Sequence, residues 1–375
     1  MTDLSRRSAE GAEAEADLRW MRRALEHARR GLGRTTPNPV VGACVVSIDG
    51  IVVGQGSHER AGEPHAEVHA LDEAGDAAHG ATLYCTLEPC VHLGRTGPCT
   101  DRIIAAGIRR VVAAMEDPFP QVSGRGFAVL RAHGIEVDVG LCADDAARLN
   151  QPFLTTVREG RPFVIAKTAT SLDGHIAAGA GQRTRLTSAI ALRHAQYQRA
   201  TVDAVAVGSE TVLVDDPLLT TRDVFRERPL MRVVFDRQLR VPATARLLTT
   251  LADGPVIILT SLVAMQRKPV LVDALERRGA TVVATADGDL QEGLRELAAR
   301  DIQSLLVEGG ARLQASMWDA GVVDYVQVYV APVWLGSAGV PMFGGRDVTT
   351  AALVERRVEL LGPDVLIEGY VHRPH

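Results

Sequence analysis

The feature that most restricts this chain is a spaced set of metal-ligand residues: Pro64-His65-Ala66-Glu67, then Glu88-Pro89-Cys90 and, nine residues on, Pro98-Cys99. One imidazole and two thiolates fill three corners of a tetrahedral zinc site. The fourth is left for water, which separates a catalytic site from a structural one. Zinc lowers the pKa of that water toward about 7. Glu67, two residues after His65, is placed to act as general base and then as acid toward departing ammonia. Nucleobase deaminases carry His-x-Glu followed by Pro-Cys-x-x-Cys. Here the first two parts match and the cysteine spacing is longer. Cys90 and Cys99 alone fit buried thiols or a structural zinc pair. The combined pattern, with each ligand opening an expected helix after a strand, points to catalysis. His69, on the helix of His65, is expected to pack or to support the ligands. His58 and His92 lie near the motif and are polar enough to touch a substrate, which chemistry alone leaves open.

The surrounding pattern is that of alternating strands and helices. Leu18, Met21, Leu25, Ala28 and Leu32 recur at helical spacing after Asp17, a candidate N-cap. Residues 1–16, with Ala-Glu repeats, are expected to form a disordered extension. Strands are expected at 40–48, 81–87, 108–114 and 135–139, with a hairpin turn at Asp49-Gly50 leading into a short strand at 51–53. Helices are expected at 65–74, from Cys99 to Gly107, and at 126–133. Residues 17–150 thus read as a layered α/β domain. Pro152, Gly160 and Pro162 mark a linker at 151–162. A second α/β domain over 163–375 has expected strands at 163–167, 204–207, 231–235, 256–259, 304–307 and 322–330. Its expected helices lie at 188–199 and from Gly310 through Trp318. Two domains suit a chain of 375 residues.

Composition narrows the partners. A net charge of −5 and 4% aromatic residues argue against a nucleic-acid ligand, which needs basic tracts and stacking rings. No apolar run approaches a membrane span and the N-terminus lacks a signal-peptide pattern. Five cysteines are too few for a disulfide scaffold and fit a reducing, cytoplasmic compartment. Cys44, Cys85 and Cys142 sit among apolar residues and are expected in the core. In the second domain Glu308-Gly309-Gly310 suits close backbone approach to cofactor phosphates, or is a simple strand-to-helix turn. It is not a G-x-G-x-x-G fingerprint. Lys167 ends an apolar strand, either buried with a task or exposed at the strand end.

Thr36-Pro37-Asn38-Pro39-Val40-Val41-Gly42, Gly62-Glu63-Pro64-His65-Ala66-Glu67-Val68-His69-Ala70, Thr86-Leu87-Glu88-Pro89-Cys90 and Gly94-Arg95-Thr96-Gly97-Pro98-Cys99 together carry a family likeness. So do Ser171-Leu172-Asp173-Gly174, Asp215-Asp216-Pro217, Glu308-Gly309-Gly310 and Ala331-Pro332 beyond the expected linker. The chain resembles the bifunctional riboflavin-biosynthesis deaminase/reductases over nearly all its length, and the long cysteine spacing is a mark of that family. The resemblance implies a cytidine-deaminase-like three-layer domain followed by a dihydrofolate-reductase-like α/β domain. The first would remove the 2-amino group of a diaminopyrimidinone bearing a phosphoribosylamino chain. The second would use NADPH to reduce the ribosyl chain to ribityl.

By the same resemblance, His65, Cys90 and Cys99 would hold one Zn2+ and Glu67 would shuttle protons. Asn38 and His58 would contact the pyrimidine, and His92 and Arg95 the polar parts of the substrate. Lys167, Arg183, Arg199, Leu219, Arg222 and Glu308 would meet the reductase substrate. Ala169, Arg185, Thr211, Asp215 and Gly310 would lie along NADPH. Family members are often homo-oligomers. Three positions depart from the family pattern: Arg185 where a tryptophan is common, Arg183 where a small polar residue is usual, and His175 where a longer basic residue is usual. These keep open a deaminase with an impaired reductase half. A nucleic-acid base deaminase and a non-catalytic zinc-stabilised interaction protein are the other readings, and Glu67 speaks against the latter.

Overall fold

The computed structural model describes residues 3–91, 97–119, 122–346 and 353–375, with side chains described from residue 11 onward. The chain divides into two units, Met1–Arg158 with His375, and Glu159–Pro374. No described helix is long and apolar enough to cross a membrane.

The first unit runs α1 (Asp3–Arg29), β1 (Gly42–Val46), β2 (Val52–Ser57), α2 (Ala66–Ala74), β3 (Thr82–Cys85), α3 (Cys99–Ala105), β4 (Arg110–Ala113), α4 (Arg125–Ala132), β5 (Glu136–Val139), α5 (Ala143–Leu149) and α6 (Gln151–Glu159). Its sheet has the order β2-β1-β3-β4-β5, with β1 antiparallel to both neighbours and β3, β4 and β5 parallel. Strand side chains alternate between faces. Ala43 and Val45 pack with α2, α3 and α4 through Ala70, Ile103 and Leu130. Cys44 and Val46 pack with α1 and α5 through Met21, Leu25 and Ala146. This is the three-layer arrangement expected. The helices lie close on the sheet because glycine permits it. A Cβ at Gly42 would stand 2.0 Å from the carbonyl oxygen of Ala24 in α1, and one at Gly56 only 2.2 Å from that of Ala66 in α2.

Three local expectations differ from the structure. The stretch expected to be a disordered extension lies in α1 from Asp3 onward; alanine and glutamate are strong helix formers, so polarity alone does not exclude a helix. Asp17 is not an N-cap but an interior residue of α1. Its carboxylate accepts from the Tyr84 hydroxyl at 2.5 Å and from Arg110 Nη2 at 2.8 Å. The stretch expected as a linker at 151–162 is helical through Glu159, and the units divide at 158/159. Pro152 falls in the first turn of α6, where its missing N–H costs no helical bond.

The second unit contains β6 (Phe163–Thr170), β7 (His175–Ala177), α7 (Ala189–Thr201), β8 (Ala204–Gly208), α8 (Ser209–Asp215), β9 (Met231–Phe235), β10 (Val256–Ser261), α9 (Leu262–Arg267), α10 (Pro269–Arg277) and β11 (Ala280–Thr285). It continues with α11 (Leu290–Ala298), β12 (Ser304–Val307), α12 (Ala311–Asp319), β13 (Tyr325–Val330), β14 (Val340–Pro341), β15 (Val354–Leu361) and β16 (Asp364–Tyr370). The main sheet has the order β11-β10-β9-β8-β12-β6-β13-β16-β15. It is parallel from β11 through β13 and antiparallel across β16 and β15. β8, β10 and β12 are continuous apolar runs because both faces are covered. A mostly parallel sheet ending in an antiparallel hairpin is the dihydrofolate-reductase-like class expected.

Candidate functional site

In the first unit, chain ends of regular elements bring the ligand residues together. His65 is the N-cap of α2, with extended backbone at φ −77 and ψ 166, and Glu67 lies in the first turn. Cys99 is the first residue of α3 after Pro98, and Cys90 follows β3. Among the described residues, His65, Cys90 and Cys99 form a group of possible metal donors whose ligand atoms lie within 4.8 Å of one another. His65 Nδ1 stands 3.2 Å from Cys99 Sγ and 3.5 Å from Cys90 Sγ. These separations suit ligand bonds of about 2.0–2.3 Å around one tetrahedral ion.

The electrostatics favour a cation at that point. The Cys99 thiol beside it, the His65 imidazole and the backbone N–H of Cys99 lower the Cys90 thiol to about 4. His65 rises to about 9 through its hydrogen bond to Cys90. A proton and a metal compete for that same nitrogen lone pair. Glu67 is 3% exposed, and burial pushes its carboxyl up to about 7, with His65 opposing. Its Oε2 is buried without a hydrogen-bond partner. An orphaned carboxylate oxygen beside two sulfurs and an imidazole fits a zinc site with one position for a reactant.

His58 is buried, its Nδ1 3.2 Å from the Pro64 carbonyl oxygen and its Nε2 3.0 Å from Asn38 Nδ2. That network assigns the proton to Nδ1, leaving Nε2 to accept from the Asn38 amide. Burial lowers the His58 pKa, which keeps the ring neutral. The ring meets His65 edge-on, with centroids 5.1 Å apart. His69 stays behind the site with Nε2 buried and unpaired.

Two supports carry no obvious sequence signal. The buried Glu88 carboxylate accepts from the backbone N–H groups of Gly126 at 2.8 Å, Gly124 at 3.0 Å and Asp117 at 3.2 Å. It thereby ties the turn before α4 to the Glu88-Pro89-Cys90 segment. Asn150 pairs with both backbone groups of Val40, at 2.8 and 3.0 Å, and so fixes the strand entry after Asn38.

In the second unit three charged side chains meet beside the ends of β6 and β12. Arg199 grips Glu308 with two parallel bonds, Nε to Oε1 at 2.6 Å and Nη2 to Oε2 at 3.0 Å. Lys167 Nζ lies 3.7 Å from Glu308 Oε2 and 5.3 Å from the centre of the Tyr329 ring. Burial alone would raise the Glu308 carboxyl, but Arg199 and Lys167 hold it down at about 2. Tyr329 is itself fixed by a 2.8 Å bond between its hydroxyl and His194 Nδ1. Arg226 Nη1 binds the carbonyls of Arg199 and Ala200 at 2.9 and 3.0 Å, capping the end of α7 that carries Arg199.

A cleft of about 770 Å³ opens outside the carboxyl ends of the parallel strands. Such crevices are where α/β sheets take ligands, in volumes of about 300–1,000 Å³. Its lining includes Gly208, Thr211, Asp215, Gly310 and Arg183. A Cβ on Gly310 would come no nearer than 3.8 Å to Thr211 Oγ1, so the backbone there is open to a ligand.

Residues 162–367 match the family described as the RibD C-terminal domain. Residues 14–115 match the cytidine and deoxycytidylate deaminase zinc-binding region. The riboflavin biosynthesis protein RibD of Aquifex aeolicus is 42% identical over 355 residues, covering 94% of this chain and 98% of its own. The chain belongs to the RibD family. RibD of Escherichia coli is 40% identical over 370 residues, with 94% and 98% covered. The crystal structure of a diaminohydroxyphosphoribosylaminopyrimidine deaminase/5-amino-6-(5-phosphoribosylamino)uracil reductase from Thermotoga maritima superposes with a TM-score of 0.84 at 36% identity. It covers 95% of this chain and 99% of that one. Acinetobacter baumannii RibD, form 1, gives a TM-score of 0.85 at 36% identity, covering 95% and 98%.

Within this RibD fold the expected residues divide clearly. Asn38, His58, His65, Glu67, Cys90 and Cys99 come together, whereas His92 and Arg95 lie outside the described residues. Lys167, Arg199 and Glu308 form one cluster, and Ala169 lies on the same strand face as Lys167, packed near Tyr329. Arg222 is exposed, and its backbone N–H binds Gln196 on the helix of Arg199 at 3.0 Å. Leu219 is 4% exposed and its side chain is part of the core, so only its backbone, at φ 57, is available to a ligand. Thr211, Asp215, Gly310 and Arg183 line the cleft; Arg185 is exposed and is not in the described lining. Tyr329, His194, Glu88 and Asn150 are site supports that sequence reasoning missed. The pattern Glu-Pro-Cys held a clue to Glu88 alone.

Proposed function

We infer that this chain is a bifunctional riboflavin-biosynthesis enzyme. Its first unit hydrolytically deaminates 2,5-diamino-6-(5-phosphoribosylamino)pyrimidin-4(3H)-one, and its second reduces the ribosyl chain of the product to ribityl with NADPH. The observation that carries the first step is the buried, unpartnered carboxylate oxygen of Glu67 beside the three-ligand cluster. Zinc, held by His65, Cys90 and Cys99, supplies Lewis acidity that makes a water reactive near neutral pH. Glu67 takes the proton from that water and delivers it to the departing ammonia. Its raised pKa of about 7 suits both halves of the transfer. Asn38, oriented by neutral His58, meets the polar edge of the pyrimidine. Folding supplies this orientation before substrate arrives.

In the second unit, NADPH supplies the hydride. Arg199 is already committed to Glu308, so the pair acts as a rigid wall rather than as a mobile clamp. Lys167, at a longer 3.7 Å from the same carboxylate, retains donor capacity for a substrate hydroxyl. Arg222, exposed beside this helix, suits the substrate phosphate. The phosphorylated pyrimidine is the one partner this reading requires; no nucleic acid or membrane enters it. Homo-oligomeric assembly in the cytoplasm completes the proposal, and light scattering on the purified protein measures the assembly.

The purified, zinc-loaded protein is given the diaminopyrimidinone phosphoriboside while ammonia release and NADPH loss are followed. Both signals are expected. Ammonia without NADPH loss, even with deaminated substrate supplied, would favour the impaired-reductase reading and direct attention to Arg185. Neither signal from folded, zinc-loaded protein would overturn the substrate assignment.

A further inference from the structure

The cleft of the second unit extends from Gly310 and Thr211 across the ends of β9 and β10 to Thr285 at the end of β11. The inference here rests on the reading of this cleft as the NADPH site. The hydride-bearing ring must lie near the cluster of Lys167 and Glu308, by β6 and β12. The adenosine end then reaches the far side, by β9 and β11. Strand spacing of about 4.8 Å puts four strand intervals, or about 19 Å, between β12 and β11.

At that far side Arg237 follows β9. Its side chain lies over Gly288: a Cβ there would stand 2.5 Å from Arg237 Cγ and 3.2 Å from its Cδ. Gly288 has φ 71, a conformation glycine adopts freely. Its lack of a side chain makes a bed on which the arginine stem rests, at the cleft lining. The other charged groups nearby are engaged. Arg240 donates to Glu210 at 3.1 Å and to Ser209 at 2.8 Å. Asp289 caps α11 by accepting the Glu292 N–H at 2.7 Å. Asp236, the acid at the strand end, is 1% exposed and turned into its own loop, where it accepts the backbone N–H groups of Arg240 and Val241.

This arrangement decides between two dinucleotides. An acid at such a strand end reads a ribose 2′-hydroxyl, whereas an arginine there accommodates a 2′-phosphate. Here the acid is withdrawn and the arginine faces the cleft. We propose that Arg237 is the residue that selects NADPH over NADH, its guanidinium taking the 2′-phosphate of the adenosine ribose. Paired N–H donors match phosphate oxygens, which a lysine ammonium does only in part.

Direct titration of the full-length protein tests this without turnover, by following nicotinamide fluorescence for NADPH and NADH. Adenosine 2′,5′-bisphosphate and adenosine 5′-phosphate serve as competing fragments. Arg237→Ser should weaken NADPH and the bisphosphate by roughly 10- to 100-fold. NADH and the monophosphate should change less than about twofold, at an unfolding temperature equal to that of the parent. Arg237→Lys should recover part of the loss. Equal weakening of NADPH and NADH, or loss on Arg240→Ser in place of Arg237→Ser, would overturn the assignment. A parent protein that binds both dinucleotides equally overturns this inference alone. One that binds neither overturns the cleft reading with it.

Discussion

Glu67 and Glu308 are both buried carboxylates, and their surroundings push them in opposite directions. Glu67 has an unpaired oxygen and a carboxyl raised by burial, as a proton carrier requires. Glu67→Gln keeps the shape and removes the base, so ammonia release should fall by about 10²–10⁴-fold while zinc content, read by atomic absorption, stays at one per chain. Glu308 is held low by two cations and serves as their anchor. Removing its charge by Glu308→Gln leaves Arg199 and Lys167 buried and unpaired, at a cost of about 3–5 kcal/mol at neutral pH. The folded carboxyl sits below its ordinary value of 4.5. Its contribution to stability is therefore present above that value and is lost as the pH falls toward about 2. Denaturant titrations of parent and variant should converge over that window; a gap that does not change with pH would contradict the ion-pair account.

At the scale of elements, the site depends on how closely α2 lies on the first sheet. Gly56→Ala would drive a methyl group into the carbonyl of Ala66, at the start of the helix that positions His65 and Glu67. Overpacking of this kind costs about 1–3 kcal/mol, and zinc affinity should fall with the unfolding temperature. A variant with normal zinc affinity would mean that α2 does not set the ligand position. Glu88→Ala should loosen the turn at 117–126 and weaken zinc retention without touching a ligand, since three backbone donors lose their acceptor. These supports explain what the sequence did and did not make legible. The ligand spacing, the β1 to β4 rhythm and the Glu308-Gly309-Gly310 turn follow local chemistry and periodicity. Glu88, Asn150, Tyr329 and His194 act through partners far away in sequence, and nothing beside them announces those partners. The Asp17 N-cap expectation failed for the same reason, because its partners Tyr84 and Arg110 belong to strands β3 and β4. Polar composition also misled over residues 3–16, where alanine and glutamate support helix as readily as coil.

Across the whole molecule, each unit has its own sheet and its own apolar core. Chelation of zinc should therefore lower the unfolding temperature of the first unit and abolish ammonia release. NADPH affinity of the second, read by fluorescence titration, should change less than about twofold. A large loss of NADPH affinity on chelation would refute that independence.

The most direct test of the two-activity account is to supply zinc-loaded Glu67→Gln first with the diaminopyrimidinone phosphoriboside and then with its deaminated product. The account predicts no ammonia from the first and parent-like NADPH oxidation with the second. Undiminished ammonia release, or NADPH oxidation lost together with ammonia release in a folded variant, would contradict it.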